Sequence, residues 1–222
     1  MKGKVSILSA NMKTDLYRWA YILALITIFY NVVEGVVSVF LGLQDETLSL
    51  FGFGLDSFVE VISGVGVWHM LLRLKQHDYV EPDRFERRAL KITGTAFYIL
   101  TVGLIATAAV NLAQGHQPET TFWGIVIAAI SILSMLALVH FKTRVGRDLG
   151  SEAIVADAHC TRACLYLSVI LLAASAGYEA TGIGGMDSAG AMLIAFFAFR
   201  EGRESFQKAA GKSCSCGASC HQ

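Results

Sequence analysis

At 222 residues, 54% of them hydrophobic and only 16% charged, with a mean hydropathy of +0.53, the chain is too apolar for a soluble domain, in which about a quarter of residues carry charge. A net charge of zero gives no basis for a nucleic-acid partner, because the charges are sorted along the chain rather than spread through it. Two prolines against 21 glycines suit close-packed helices, where small residues let backbones approach.

Six apolar stretches are long enough to cross a hydrocarbon layer about 30 Å thick as helices: Trp19–Gly42, Leu48–Leu72, Leu90–Leu112, Phe122–Phe141, Glu152–Gly177 and Asp187–Arg203. The expected fold is all-α, a polytopic membrane protein with six transmembrane helices. It divides into an N-terminal arm (1–18), a six-helix domain (19–206) and a tail (207–222). The first span is not a cleavable signal peptide. Its apolar run exceeds the usual length of about 7–15 residues, it carries Asn31 and Glu34, and no small-residue cleavage pattern follows. Thr27, Asn31, Glu34, Gly35 and Ser38 share one of its faces, either lining a pathway or acting as polar glue between helices.

The second span, LSLFGFGLDSFVEVISGVGVWHMLL, holds two carboxylates at its middle, Asp56 and Glu60. At i, i+4 they share one helix face about 6 Å apart along the axis, with Gly52, Ser63 and Gly64 close to that face. An acid at bilayer depth costs several kcal/mol unless it is paired, protonated or metal-bound. The connection Arg73–Ala89 is charged and mixed in sign, and reads as a solvated loop. His77 and His116 fall in loops; His69 and His140 lie near helix ends, where the helix dipole accounts for them.

The fifth span carries Cys160 and Cys164, again i, i+4, with Asp157, Thr161 and Ser168 on the same face and His159 about 120° away. Taken alone, two intramembrane cysteines read as small buried hydrophobes. Depth changes the reading. Asp56 and Glu60 lie 8 and 12 residues past Leu48, and Cys160 and Cys164 lie 8 and 12 past Glu152, so both pairs sit roughly 12–18 Å into the layer. They are expected to meet near the midplane, where transport sites lie. Two carboxylates and two thiols supply the four ligands that a tetrahedral Zn²⁺-like ion takes. Asp157, one turn nearer the helix start, is placed to guide ions inward. Arg162, buried by register and turned from the cysteines, needs a partner such as Glu34, an acid of a neighbouring subunit, or a route to water.

Lysine and arginine set the expected orientation. Every one of the 18 except Arg162 falls in the N-terminal arm, the second-to-third or fourth-to-fifth connection, or the C-terminal end. The other loops hold none, which places both termini in the cytoplasm of a cell inner membrane or plasma membrane. The tail GKSCSCGASCHQ adds Cys214, Cys216, Cys220 and His221 within eight residues. In a reducing compartment such a cluster reads as a soft-metal site, for capture or sensing, rather than as disulfides.

The D-S-F-V-E of Asp56–Glu60 and the A-D-A-H-C-T-R-A-C of Ala156–Cys164 resemble the two metal motifs of the cation diffusion facilitator family. Asn31 and Gly35, the Glu152…Ala156-Asp157 opening of the fifth span, Asp187, and R-E-G at Arg200–Gly202 are similar too, so the resemblance covers about residues 16–206. It implies six spans, cytoplasmic termini, proton-coupled metal efflux and a homodimer. Where that family has a second Asp in span two and His or Asp in span five, this chain has Glu60, Cys160 and Cys164. Only about 20 residues follow the sixth span, where the family has a large cytoplasmic domain.

Thiol ligands shift the expected cargo toward Zn²⁺ or Cd²⁺, with Fe²⁺, Hg²⁺ and Cu⁺ as further candidates, and away from Mg²⁺ or Mn²⁺. No organic cofactor is expected. Two neighbouring acids in a low dielectric cannot both ionise cheaply, so a metal that arrives should expel protons and protonation should expel the metal. That is metal/proton antiport, not enzymatic catalysis. Two readings compete with it: a membrane metal sensor or binding protein, and a thiol oxidoreductase using Cys160 and Cys164. The second suffers from poor disulfide geometry at i, i+4 on a helix.

Overall fold

The computed structural model describes residues 2–74, 84–115, 117–150, 152–183 and 185–211, and their side chains except at 2–14, 74, 86, 152, 153, 156 and 160. Six helices run in order: α1 (Lys2–Gln44), α2 (Leu48–Leu74), α3 (Arg84–Gln114), α4 (Phe122–Leu149), α5 (Glu152–Thr181) and α6 (Gly185–Ala209). Among the described residues there is no strand. Long apolar runs without prolines fold this way because a helix satisfies every interior backbone group locally, without water.

Each expected span lies within one helix, but the ends differ. α1 begins at Lys2, so residues 2–18 continue the first span as helix. α4 passes Phe141 by two turns, through HFKTRVGRDL, and stops at Gly150, whose φ of 63° is left-handed and whose N–H reaches the carbonyls of Arg147 and Gly146. Lys142, expected in a loop, is therefore helical, and its side chain is buried.

Five of the six helices are long and apolar enough to cross a membrane by length and composition: Asp15–Gln44, Leu48–Arg73, Arg87–Gln114, Phe122–Leu149 and Asp157–Thr181. α6 is not among them. Its Asp187 and its Arg200–Lys208 charges leave only 12 residues between Asp187 and Arg200 free of charge, about 20 Å of helix.

Polarity runs opposite to that of a soluble protein. The outward faces carry Phe29, Phe40, Ile99, Val102 and Leu133, while Asn31, Ser38, Asp56, Ser57, Ser131 and Ser168 are buried. α1 packs most closely on α2, α3 on α6 and α4 on α5, and α2 touches α1, α3, α5 and α6. The main apolar core, including Leu50, Phe53, Leu104, Ala128, Leu167, Leu171 and Ile194, lies between α2, α3, α4, α5 and α6. The α1–α2 approach is close enough to require glycine: a Cβ on Gly54 would stand 2.7 Å from the Val39 backbone nitrogen.

A carboxylate from another helix holds the start of α2. Asp187 on α6 accepts from Leu48 N at 2.8 Å and Ser49 N at 3.0 Å, and also from the Ser49 hydroxyl. These N–H groups have no partner inside α2, and a negative charge at a helix N-terminus is stabilised by the helix dipole. Glu179 on α5 does the same for α4, accepting from Thr121 N at 2.7 Å and Thr120 Oγ1 at 2.9 Å. Both contacts fix the depth of α2 and α4, and so of everything those helices carry.

Candidate metal centre

α2 carries Asp56 and Glu60 into the bundle interior on one face, where α1, α5 and α6 close around them. Glu60 is the meeting point. Its Oε2 accepts from Asn31 Nδ2 of α1 at 3.1 Å, and its Oε1 accepts from the Cys164 thiol of α5 at 2.5 Å. Cys164 is buried and not in a disulfide. An acid from the second expected span and a thiol from the fifth thus touch in the middle of the bundle.

Asp56, one turn earlier, is only 2% exposed. Its Oδ1 and the Asn31 Oδ1 are buried without a hydrogen-bond partner among the described residues. Such oxygens are expensive to leave unsatisfied, and a cation is a natural partner for them. Glu34 of α1 adds a third carboxylate. It accepts from Tyr30 OH at 2.8 Å and Ser57 Oγ at 3.1 Å. Glu201 of α6 is a fourth, near enough for its charge to act on both Asp56 and Glu60. Hydroxyls complete the lining: Ser168 meets Ser131 at 2.8 Å and donates to the Cys164 carbonyl at 2.8 Å.

The model of the cation efflux transmembrane domain matches residues 19–211. The chain belongs to the cation efflux family, the cation diffusion facilitators. An uncharacterized transporter of Methanocaldococcus jannaschii is 24% identical over 152 residues, covering 67% of this chain and 54% of that protein. The chain therefore spans about half the length of this relative.

Within the cation efflux domain the expected ligands are brought together unequally. Glu60 and Cys164 touch and Asp56 lies one turn away, while the side chain of Cys160 lies outside the described set. Among the described residues, no three His, Cys, Asp or Glu side chains form a group that could hold a metal. Asn31 and Glu34, expected on one face with Gly35 and Ser38, are all on the inner side of α1, and Thr27 turns its hydroxyl back to the Leu23 carbonyl at 2.8 Å.

Other residues have partners that spacing did not indicate. Asp157 is ion-paired with Lys142 at 2.9 Å. Arg162 Nη1 lies 3.3 Å from His159 Nδ1, while Glu34, one of its candidate partners, is engaged by Tyr30 and Ser57. The pairing of Arg162 with His159 is i, i−3 on one helix, which register alone could have suggested. Lys142 and Ser57 had no signal as site residues, because each owes its role to another helix, whereas Tyr30 reaches Glu34 at i, i+4 on its own helix and Glu201 falls in the R-E-G of the sixth span. Cys214, Cys216, Cys220 and His221 of the tail lie outside the described residues, as do His77 and His116.

Proposed function

We propose that the protein exports a divalent, soft-leaning heavy-metal cation, Zn²⁺ or Cd²⁺, across the membrane in exchange for protons, through a site made by Asp56, Glu60, Cys160 and Cys164. The reading rests on family membership and on one contact above the others. Glu60 and Cys164, 104 residues apart, touch inside a bundle whose outer surface is apolar. A carboxylate and a thiol together favour Zn²⁺ or Cd²⁺ over Mg²⁺, which prefers oxygen alone.

Proton coupling follows from the same ligands. A metal binds thiolate and carboxylate, so loading releases the protons these groups hold, and protons taken up on the far side release the metal. Asn31 keeps Glu60 turned toward Cys164, and the buried Oδ1 of Asp56 offers a further oxygen. The chain crosses the membrane six times, α6 included, with both termini in the cytoplasm. The Cys214, Cys216, Cys220 and His221 tail captures metal on that side, and two copies form a dimer. Fe²⁺, Hg²⁺ and Cu⁺ are weaker candidates for the cargo.

The test is flux in proteoliposomes, with metal and pH recorded on both sides. Cd²⁺ and Zn²⁺ uptake should move protons the opposite way. Asp56→Ala and Cys160→Ala should each reduce it at least tenfold while elution and helix content stay unchanged. Undiminished flux in both variants would remove the site assignment. Proton-independent flux would remove antiport.

A further inference from the structure

Lys142 is a buried cation for which the transport cycle above has no role. α4 turns it into the α4–α5 interface, where its side chain is 2% exposed. The ammonium stands 2.9 Å from Asp157 Oδ2 and donates to Thr161 Oγ1 at 3.0 Å. The Thr161 hydroxyl in turn donates to the Asp157 carbonyl at 3.1 Å. A carboxylate and a hydroxyl are therefore already assembled around one positive charge.

Holding two helices together does not call for this arrangement. A buried ion pair loses the hydration of both charges, and well-packed apolar residues of similar volume often serve as well or better. Position supplies a better reason. Asp157, Thr161, Cys164 and Ser168 follow one another at helical spacing along a single face of α5. Cys164 reaches Glu60, and Ser168 reaches Ser131. This polar stripe leads from the Gly150 end of the bundle to the candidate centre, and Lys142 stands at its start. Beside it, Ala20, Ala24, Leu71 and Ile154 form an apolar cluster against which Tyr17 and Trp68 pack.

We infer that Asp157 and Thr161 form a second cation subsite, filled at rest by the Lys142 ammonium, which a divalent cation displaces on its way to Glu60 and Cys164. The inference rests on the transport reading and deepens it. A tethered monovalent charge neutralises Asp157 while no metal is present. It also selects by charge, since a divalent ion at a similar distance gains twice the attraction to the carboxylate that Na⁺ or K⁺ would. The flexible four-carbon stem of lysine lets the ammonium withdraw without moving the helix.

The test uses the full chain with Cys214, Cys216 and Cys220 changed to serine, and Cd²⁺ as the probe. In equilibrium dialysis, Lys142→Gln should bind one more Cd²⁺ per chain than its parent, and Lys142→Gln/Asp157→Asn should return to the parent value. Equal numbers in all three overturn the subsite. Lys142→Gln leaves a buried carboxylate uncompensated and can unfold the chain; the neutral double variant avoids that. In it, a cationic methanethiosulfonate reagent added from the Gly150 side should label Cys160 and Cys164 at least fivefold faster than in the parent. An unchanged rate counts against displacement. The two readings fail separately. A parent that binds no Cd²⁺ while Lys142→Gln gains one removes the central site and keeps the subsite. A parent that binds one Cd²⁺ with no gain in Lys142→Gln does the reverse.

Discussion

Asn31 shows what a single side chain adds to the centre. The i, i+4 spacing of Asp56 and Glu60 is visible in the sequence because the helix period fixes it. The amide that orients Glu60 comes from 29 residues away, and only packing of α1 on α2 supplies it. Hydrogen bonds to charged groups contribute about 1.5–3 kcal/mol, so Asn31→Ala should weaken Cd²⁺ binding about tenfold or more with the fold intact, read by titration calorimetry in detergent. Unaltered affinity would mean that Glu60 needs no such support. Asp45 makes a different residue-scale case, in the connection between α1 and α2. It is 6% exposed, and burial first and the Glu119 charge second raise its carboxyl above the ordinary carboxylate value. A raised acid binds its proton more readily in the folded chain. Its contribution is thus fully present below the unfolded value near about 3.9 and is lost as pH rises through the folded one. Asp45→Asn should match the parent below that lower limit and melt at a higher temperature at pH 7. A melting temperature that is lower at pH 7 would show that the ionised carboxylate is stabilising.

At the scale of the element, α2 is positioned less by its own sequence than by α6. Leu48 and Ser49 open the helix with no capping side chain of their own; Asp187, 138 residues beyond Ser49, accepts from both backbone nitrogens. Asp187→Ala removes a charged acceptor from buried donors and should cost about 1.5–3 kcal/mol, lowering the melting temperature in detergent, with Asp187→Asn recovering part of the loss. Equal melting of parent and both variants would show that the cap contributes nothing. The same carboxylate illustrates why α6 is the element hardest to read. Its composition falls short of an apolar crossing, and its buried Asp187 makes sense only beside the start of α2. α4 is the converse. Its apolar run to Phe141 is plain in the sequence, but its continuation to Leu149 depends on a partner for Lys142, which Asp157 provides.

For the whole molecule, metal binding and stability are one equilibrium. A ligand that binds only the folded state adds RT ln(1 + [L]/Kd), about 2.7 kcal/mol at a hundred times Kd. Cd²⁺ should therefore raise the melting temperature of the chain lacking its tail cysteines in a concentration-dependent way, Mg²⁺ should not, and Glu60→Ala/Cys164→Ala should abolish the shift. A shift that survives the double substitution would put the metal elsewhere. The sequence by itself determined the helical class, the order of the six helices, and the one-turn spacing of Asp56 with Glu60 and of Cys160 with Cys164. Those follow from composition and from the 3.6-residue period, which act over a few turns. Tertiary structure alone decided that Glu60 receives Cys164 and Asn31, that Glu34 goes to Tyr30 and Ser57, and that Asp157 is held by Lys142. Each of these contacts except that of Tyr30 joins helices whose mutual rotation no local pattern specifies. Only close packing of the whole bundle sets that rotation.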